Sequence, residues 1–296
     1  MSASRYTARD CHLRICPETT RGVCPDSPDW RSVPLPRDGF PPGAEAEFFA
    51  PETRFGGYRR RALLREGVAV RGSFATAARP RVTGLLLEMA LARTAGRMGS
   101  YCVDRYAPAD PRRLLGALAV GLRISVRADR GDVELRLELV GLAEEANGSL
   151  TPADFDYADL GPGAFAFRAA EISLDGTSLE GVEEFAIEVR NRVHEGPMRG
   201  GAPAFLEADR RTVGVELTAA DPDTVVGPAL RAGSALPFQA VFRHAEGHEL
   251  TLELPELRPQ SRRPRGPADG VAGTTARFEA GAAGGVDVEY SLNLVP

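Results

Sequence analysis

Strictly alternating apolar and polar residues recur at several places along the chain. The clearest stretch is ELRLEL at 134–139, and nearly the same pattern returns as ELTLEL at 249–254. In a β-strand this alternation places the leucines on one face and the charged residues on the other. A glycine-containing turn precedes each copy, at 130–132 and at 246–248. Each copy is therefore predicted to be the second strand of a hairpin.

A second recurrence links 184–189 (EFAIEV) with 289–294 (EYSLNL). Internal recurrence of this kind indicates a duplicated β-domain. Apolar periodicity lapses around 145–165, so we expect a first β-domain at 1–160 and a second at 161–296. The strand expected at 182–190 fits either the end of the first unit or the start of the second.

The remaining pattern predicts many short strands and one clear helix. Apolar residues at helical spacing follow Pro80, which predicts a helix over 81–93 that packs on a sheet. A weaker helical counterpart is expected at 223–231. Residues 11–36 are predicted to form a short strand, a proline-rich turn and a second short strand around 30–35. Further strands are predicted at 68–74, 101–104, 116–127, 133–142, 165–174, 182–190, 212–219, 236–243, 248–255, 274–280 and 286–294.

Glycine and proline concentrate in three segments that are predicted to be long loops, at 37–57, 191–205 and 258–273. With 32 Gly and 23 Pro in 296 residues, the composition suits strands and loops better than a helical bundle. The net charge of -5 argues against a protein built to grip nucleic acid. No stretch approaches the ~20 apolar residues of a membrane span, and 1–16 lacks the apolar core of a secretory signal, so we expect a soluble intracellular product.

The sequence contains none of several common catalytic or cofactor-binding motifs. It has no nucleophile elbow, phosphate-binding loop or paired-histidine zinc motif, so we expect neither an enzyme nor a cofactor. Cys11, Cys16 and Cys24 lack paired metal-ligand spacing, and Cys102 is far away in sequence. His244 and His248 flank a turn and could face one another. Solvated histidines and reduced thiols are expected at these positions, and no metal.

Between 165 and 257 the chain resembles the tail tube proteins of long-tailed bacteriophages. The residues that carry the likeness are SLDGTSLEGVEEFAIEVRNRV, a glycine-rich loop ending at 202–205, ADRRTVGVELTAADPD and LPFQAVFRHAEGHELTLELPEL. The start is similar too, in ICPETTRGVCPDSPDWRSVPL, YRRRALLREGVAVRGSF and the proline-started helix. The order of these loose patterns, which covers most of the chain, carries the specificity.

The resemblance implies a mainly β fold, with a duplicated β-sandwich or barrel domain, a flanking α-helix and long Gly/Pro loops. It implies closed rings that stack into the tail tube, through which DNA passes into the host. Either six chains or three duplicated chains, a trimeric pseudo-hexamer, would complete a ring. The implied partners are other copies of the chain, the tape-measure protein and the tail terminator and distal tail proteins. The implied location is the virion, after assembly in the host cytoplasm, with no membrane partner.

Two sets of residues are expected to serve such a tube. A lumen that passes DNA should repel phosphates, and the candidate lumen-facing acids are Glu134, Glu138, Glu249 and Glu253. The long loops could reach a neighbouring subunit. The candidate arm residues are Phe40, Phe48, Phe49, Phe55, Tyr58, His194, Met198 and Phe205.

Three other functions compete with this interpretation. The chain could form the inner tube of a contractile tail or of a related injection device, which a neighbouring sheath gene would indicate. It could be a β-sandwich module that binds carbohydrate or protein, although a single Trp and six Tyr leave few aromatic residues for a binding face. An enzyme on a β-scaffold would need a convergent polar pocket, which the sequence does not indicate.

Overall fold

The fold is known from a computed structural model of the chain. It describes residues 11–35, 50–51, 70–94, 97–108, 110–127, 131–160, 163–166, 170–179, 181–199, 202–219, 228, 231–268, 271–281 and 288–294.

The described residues are mainly β, as predicted. In chain order the strands are β1 (His12–Pro17), β2 (Arg31–Val33), β3 (Ala50–Pro51), β4 (Val70–Ala77), β5 (Arg93–Thr94), β6 (Arg97–Met98), β7 (Tyr101–Tyr106), β8 (Arg112–Arg127), β9 (Val133–Gly141), β10 (Ala143–Ala146), β11 (Ala170–Leu174), β12 (Thr177–Ser178), β13 (Val182–Glu195), β14 (Met198–Arg199), β15 (Ala202–Pro203), β16 (Leu206–Ala219), β17 (Leu236–Arg243), β18 (Glu249–Ala268), β19 (Val271–Gly281) and β20 (Glu289–Asn293). Helix α1 spans Pro80–Leu91, close to the predicted 81–93.

Sixteen of these strands form one antiparallel sheet. Its main path runs β12-β11-β17-β18-β19-β16-β13-β8-β7-β1-β2. The C-terminal part of β8, from Leu118 to Val126, also pairs with β9, and β9 pairs with β4. Both hairpins predicted from the repeated pattern are present, since β8 pairs with β9 and β17 pairs with β18.

The sheet curls around its own core. Phe185 on β13 lies 5.9 Å from Phe242 and 6.1 Å from Phe238 on β17, measured between ring centroids. Along the hydrogen-bonded path, β18, β19 and β16 separate these two strands. Because neighbouring strands are ~4.8 Å apart, a flat sheet would hold β13 and β17 ~19 Å apart. The rings therefore meet across a sandwich-like interior, as in the predicted fold class.

Helix α1 closes one side of this interior. Pro80 occupies its first turn, where the missing N–H costs nothing, and the following apolar residues are buried. At its C-terminal end the free carbonyl oxygens are satisfied by the sheet. Asn191 donates to the Ala90 carbonyl at 2.9 Å, and Arg211 donates to the Leu91 carbonyl at 2.6 Å. These side chains fix the end of the helix against β13 and β16.

The strand alternation matches the prediction in both repeated segments. Leu135, Leu137 and Leu139 on β9 are buried, as are Leu250, Leu252 and Leu254 on β18. The buried side chains of both halves of the chain belong to one continuous hydrophobic cluster.

Two of the predicted loops are wrong. The segment 191–205 is the end of a hairpin, in which β13 runs to Glu195, β14 pairs with β15 and β16 starts at Leu206. The segment 258–273 lies largely in the paired strands β18 and β19. Prolines and glycines suggested loops, but proline is compatible with a strand at a sheet edge. Within the described residues no strand pairs with the other edge of β18 beyond Leu257.

Strand β13 pairs with β8 on one side and with β16 on the other. Its pairing thus joins the two predicted units, whose division near 160 stays a prediction. The second recurrence occupies unlike places, because β13 borders the first strand of its hairpin whereas β20 borders the second. In the predicted helix 223–231, Pro228 and Arg231 have helical backbone. The predicted loop 37–57 lies mostly outside the described residues.

Candidate functional site

The charged face of the curled sheet is the first candidate surface. Glu134 and Glu138 on β9 are exposed, on the face opposite the buried leucines. Their strand neighbours are small: Ala77 and Ser125 lie beside Glu134, and Gly121 lies beside Glu138. The alternation that predicted an outward position for both carboxylates is confirmed, and which way this face points in an assembly stays a prediction.

The equivalent acids on β18 are less exposed. Both Glu249 and Glu253 are half-buried. Arg243 donates from Nε to Glu249 Oε2 at 3.2 Å, and Gln239 donates from Nε2 to Glu253 Oε1 at 2.7 Å. A guanidinium and an amide on the neighbouring strand β17 therefore engage these two carboxylates.

Two arginines of the charged face are paired to acids, whereas Arg136 lies between Glu134 and Glu138 on the same outward side of β9. Arg190 lies 2.6 Å from Glu188 on the same strand, and Arg277 lies 3.3 Å from Glu216 across the β16–β19 pair. The ion pair with Glu188 raises the pKa of Arg190. The face is therefore mixed in sign, with these arginines held next to carboxylates.

The end of the β13–β16 hairpin is the second candidate surface, and we call Glu195–Leu206 the hairpin tip. Phe205 leaves 47% of its surface exposed. Its ring lies against Gly196, where an added Cβ would come within 2.6 Å of Phe205 Cδ1. His194, just before the tip, lies 3.1 Å from Asp209, and Met198 is in the short strand β14. Of the predicted arm residues, Phe40, Phe48, Phe49, Phe55 and Tyr58 lie outside the described residues.

The two histidines beside the β17–β18 turn do face one another, at 5.4 Å between ring centroids. With Glu246 they form a group whose ligand atoms all lie within 4.8 Å of each other. The His244 ring accepts a hydrogen bond from the Glu246 backbone at 3.2 Å and meets Phe165 edge-on.

Three cysteines meet where β1 pairs with β7, which sequence spacing did not indicate. Cys16 lies opposite Cys102 in the β1–β7 pair, and the turn after β1 brings Cys24 to them. A hydrogen bond with Cys102 lowers the pKa of Cys16. The same bond and burial raise the pKa of Cys102, and burial raises that of Cys24. Cys11 lies outside this group.

A buried carboxylate next to the cysteines was also missed. The Asp104 side chain is completely buried on β7, two residues beyond Cys102. It accepts hydrogen bonds from Arg14 Nη2 at 2.8 Å and from Arg113 Nε at 2.7 Å. The Arg14 guanidinium in turn stacks on Trp30, 4.3 Å from the ring centroid. The one signal in the sequence was an aspartate inside an otherwise apolar run, YCVD.

Among the helices that the structure describes, none is long and apolar enough to cross a membrane. A comparison with curated proteins finds no match. A model of the phage tail tube protein family matches residues 8–293, nearly the whole chain. That match agrees with the curled, mainly antiparallel sheet and its flanking helix, and the chain belongs to the phage tail tube protein family.

Proposed function

We propose that this tail tube protein forms closed rings that stack into the tube of a long phage tail, and that the tube conducts DNA into the host. The support is a family match over residues 8–293 together with a curled sheet that has edges unpaired by any strand the structure describes. The family match indicates a structural protein, and open sheet edges are expected in a subunit that pairs with other copies of itself.

The open edges support ring closure. Within the described residues β20 pairs on one side only, with β18, and β11 meets β12 only at Ser173 and Leu174. Exposed edges are aggregation hazards that proteins cover or pair. In a cyclic ring every subunit donates and receives the same contact, so the edges are paired without leaving a free end.

The charged face supports a passage that does not hold DNA. Phosphate contacts to arginine provide most of the non-specific affinity for DNA. On this face Arg190 and Arg277 are already engaged by Glu188 and Glu216. The exposed Glu134 and Glu138 add repulsion toward a polyanion. We therefore assign the β9 part of the charged face to the lumen, and the half-buried Glu249 and Glu253 extend it at the hairpin of the second half.

The hairpin tip supports a contact between subunits. A half-exposed phenylalanine at the end of two long paired strands offers apolar area that a neighbour can bury, at ~25 cal/mol per Å². Phe205 is such a residue. His194 on β13 and Met198 on β14 belong to the same hairpin, and we include both in the proposed contact.

The repeated hairpins favour a ring of three chains over a ring of six, with each chain supplying two similar units, 1–160 and 161–296. The tape-measure protein would fill the lumen during assembly, and the terminator and distal tail proteins would cap the two ends. The tube would be assembled in the host cytoplasm and would form part of the virion. A contractile tail would use the same tube inside a sheath, so a sheath gene beside this one would favour that alternative.

Electron microscopy of the purified chain at low and high concentration tests the proposal. We expect rings, or hollow tubes whose channel is ~20 Å or wider, which admits duplex DNA. Phe205→Asp should leave the subunit folded but prevent rings or tubes, because burying an unpaired charge at the contact is unfavourable. Val23→Asp is the matched control, since Val23 is also an exposed apolar residue, at 56%, and lies in the turn between β1 and β2, outside the tip and outside the open edges named above.

Compact single particles under all conditions would contradict the ring proposal and favour a β-sandwich binding module. Rings from Phe205→Asp as abundant as those from the unchanged chain would contradict the role of the hairpin tip alone. Class averages with threefold or sixfold symmetry would decide between the two ring compositions.

A further inference from the structure

The side chains of three cysteines lie together where the turn after β1 meets the β1–β7 strand pair. Cys16 and Cys102 are fully buried and directly opposite one another on β1 and β7. Cys24 is partly buried and comes from the turn between β1 and β2. All three sulfur atoms lie within 4.8 Å of one another. Cys102 is far from the other two in the chain, so the fold and not the local sequence creates the group.

The turn that carries Cys24 is held in place by polar contacts of its own. The Glu18 carboxylate accepts from the Gly22 N–H at 2.9 Å and from the Gly116 N–H at 2.8 Å. The Glu18 N–H donates to the Ser100 carbonyl at 2.9 Å. Gly22 has a φ of +80°, which a side chain would disfavour. These contacts fix the backbone just before Cys24, so its sulfur is directed at the other two before any ligand binds.

We propose that Cys16, Cys24 and Cys102 bind a zinc ion that fastens the N-terminal turn to the sheet. Thiolate sulfur is a preferred ligand of zinc, at ~2.3 Å from the metal. In a tetrahedral site that bond length places sulfurs ~3.8 Å apart. The observed limit of 4.8 Å therefore requires a contraction of no more than ~1 Å, which the turn bearing Cys24 can supply.

The charge balance of the site is favourable. Binding of Zn²⁺ to three thiols releases three protons to solvent and leaves a group of net charge −1. Arg113 is close enough to Cys24 and Cys102 for their charges to interact. Its guanidinium is oriented by Asp104, at 2.7 Å from Nε to Oδ1 and 3.1 Å from Nη2 to Oδ2. The arginine offsets part of the negative charge of the zinc–thiolate group and is held in place by Asp104. The carboxylates of Asp104 and Glu18 act in the opposite direction on the charge of Cys16.

The fourth position of the zinc ion is assigned to water. Among the described residues no fourth cysteine, histidine or carboxylate joins the group. Cys24 is the least buried of the three cysteines, so we place the open position on its side of the site. Three protein ligands plus water is the arrangement of catalytic zinc sites, whereas structural sites usually have four protein ligands. The role proposed for this three-cysteine site is to hold β1, β7 and the turn together.

Metal content of the purified, reduced chain tests this proposal. We expect about one zinc per chain by elemental analysis after dialysis against metal-free buffer. Co²⁺ bound in place of zinc should give the sulfur-to-metal charge-transfer band of a thiolate site. Cys24→Ser should weaken zinc binding by at least about tenfold, since even an outer-shell change costs that much. Cys24 lies in a turn, so this variant should fold; circular dichroism checks it, and Cys24→Ala serves as a second variant.

Two matched variants show whether bound zinc depends on these three cysteines. Cys11→Ser changes a cysteine outside the group and should keep full zinc content. His248→Gln alters the histidine group at the β17–β18 turn and should also keep it. Zinc below a tenth of an equivalent, zinc retained in folded Cys24→Ser or lost in His248→Gln, or a disulfide among the three cysteines in fresh protein would overturn the proposal. All measurements use unassembled subunits, so they do not depend on whether tubes form.

Discussion

Two hairpins with nearly the same sequence behave differently in the folded chain. β9 and the first part of β18 carry ELRLEL and ELTLEL, and the leucines of both are buried in one core. The glutamates differ. Glu134 and Glu138 are exposed, whereas Glu249 and Glu253 are half-buried and accept hydrogen bonds from Arg243 and Gln239.

The neighbouring strands explain this difference. Beside β9 the facing residues are small, such as Ser73, Gly121 and Ser125. Beside β18 the facing strand β17 presents Gln239 and Arg243, which are long enough to reach a carboxylate. Alternation within a strand therefore decides which residues face outward, but the cross-strand partners influence how far an outward carboxylate stays exposed.

The two hairpins also continue into different structures. The first half of β8 leads to β7 and β1, where Asp104 is buried between two arginines. The second half of β18 leads instead to the hairpin with β19, whose residues are rich in proline and arginine. The β8–β9 hairpin thus adjoins a buried polar cluster, whereas the β17–β18 hairpin continues into an edge of the sheet.

The largest effect is expected from Asp104→Asn. Removing one partner of a buried ion pair leaves charge uncompensated, so the free energy of unfolding should fall by about 3–5 kcal/mol in urea titration. Asp110→Asn is the control, because Asp110 pairs with Arg105 and Arg112 while 52% of its side chain is exposed. Its loss should stay below about 1 kcal/mol. Equal losses of unfolding free energy in the two variants would contradict the claim that the buried ion pairs of Asp104 stabilise the fold more than the exposed pairs of Asp110.

Leu137→Ala and Leu252→Ala compare the two hairpins at equivalent positions. Both leucines are fully buried, at 0% and 1% exposure, so each variant should lose about 2–5 kcal/mol of unfolding free energy. Similar losses would show that both copies are packed equally tightly in the shared core. A loss below about 1 kcal/mol at either site would show that its surroundings collapse into the cavity.

Glu253→Ala and Glu138→Ala test the difference between the outward faces. The first variant removes the acceptor of the Gln239 hydrogen bond and should cost about 1 kcal/mol. The second removes an exposed carboxylate with small neighbours and should stay within about 0.5 kcal/mol of the unchanged chain. Thermal and urea unfolding of the purified subunits would measure both. The reverse ranking would contradict the role of the cross-strand partners.

The smallest effect on stability is expected from the exposed ion pair between Arg243 on β17 and Glu171 on β11. The hydrogen bond from Arg243 lowers the pKa of Glu171. A carboxyl group whose pKa is lower in the folded state stabilises it above its usual pKa, and this contribution disappears as the pH falls through the lowered value. Arg243→Gln should return the pKa of Glu171 toward its usual value in an NMR titration. The pKa of Asp154, which is lowered chiefly by its hydrogen bond from the Thr151 backbone, should not change.

Local pattern was sufficient for much of this fold. Apolar spacing and Pro80 located α1 to within two residues at its end, and alternation located β8, β9, β16 and β17. The glycines and prolines at 191–205 and 258–273 led to a prediction of loops where the structure has strands. These residues also occur at hairpin ends and sheet edges. Composition alone does not distinguish a free loop from an edge strand.

The candidate sites were predictable to a lesser degree, since they depend on which strands pair. The outward position of Glu134 and Glu138 follows from period-two alternation. The exposure of Phe205 required knowing that Gly196 lies beneath its ring. The meeting of Cys16 with Cys102 required the β1–β7 register, which no spacing rule within one short segment supplies.

The place of β13 in the sheet has a consequence for the order in which the chain folds during synthesis. Its first neighbour, β8, is made before it, but its second, β16, comes after it, and its Phe185 packs against residues of β17. β16 in turn needs β19, which ends at Gly281. The N-terminal half therefore leaves the ribosome with an unfinished core, and native packing waits for almost the last strand. Such long-range pairing is slow and leaves unpaired strands exposed, so we expect a new subunit to be most prone to aggregation before translation ends.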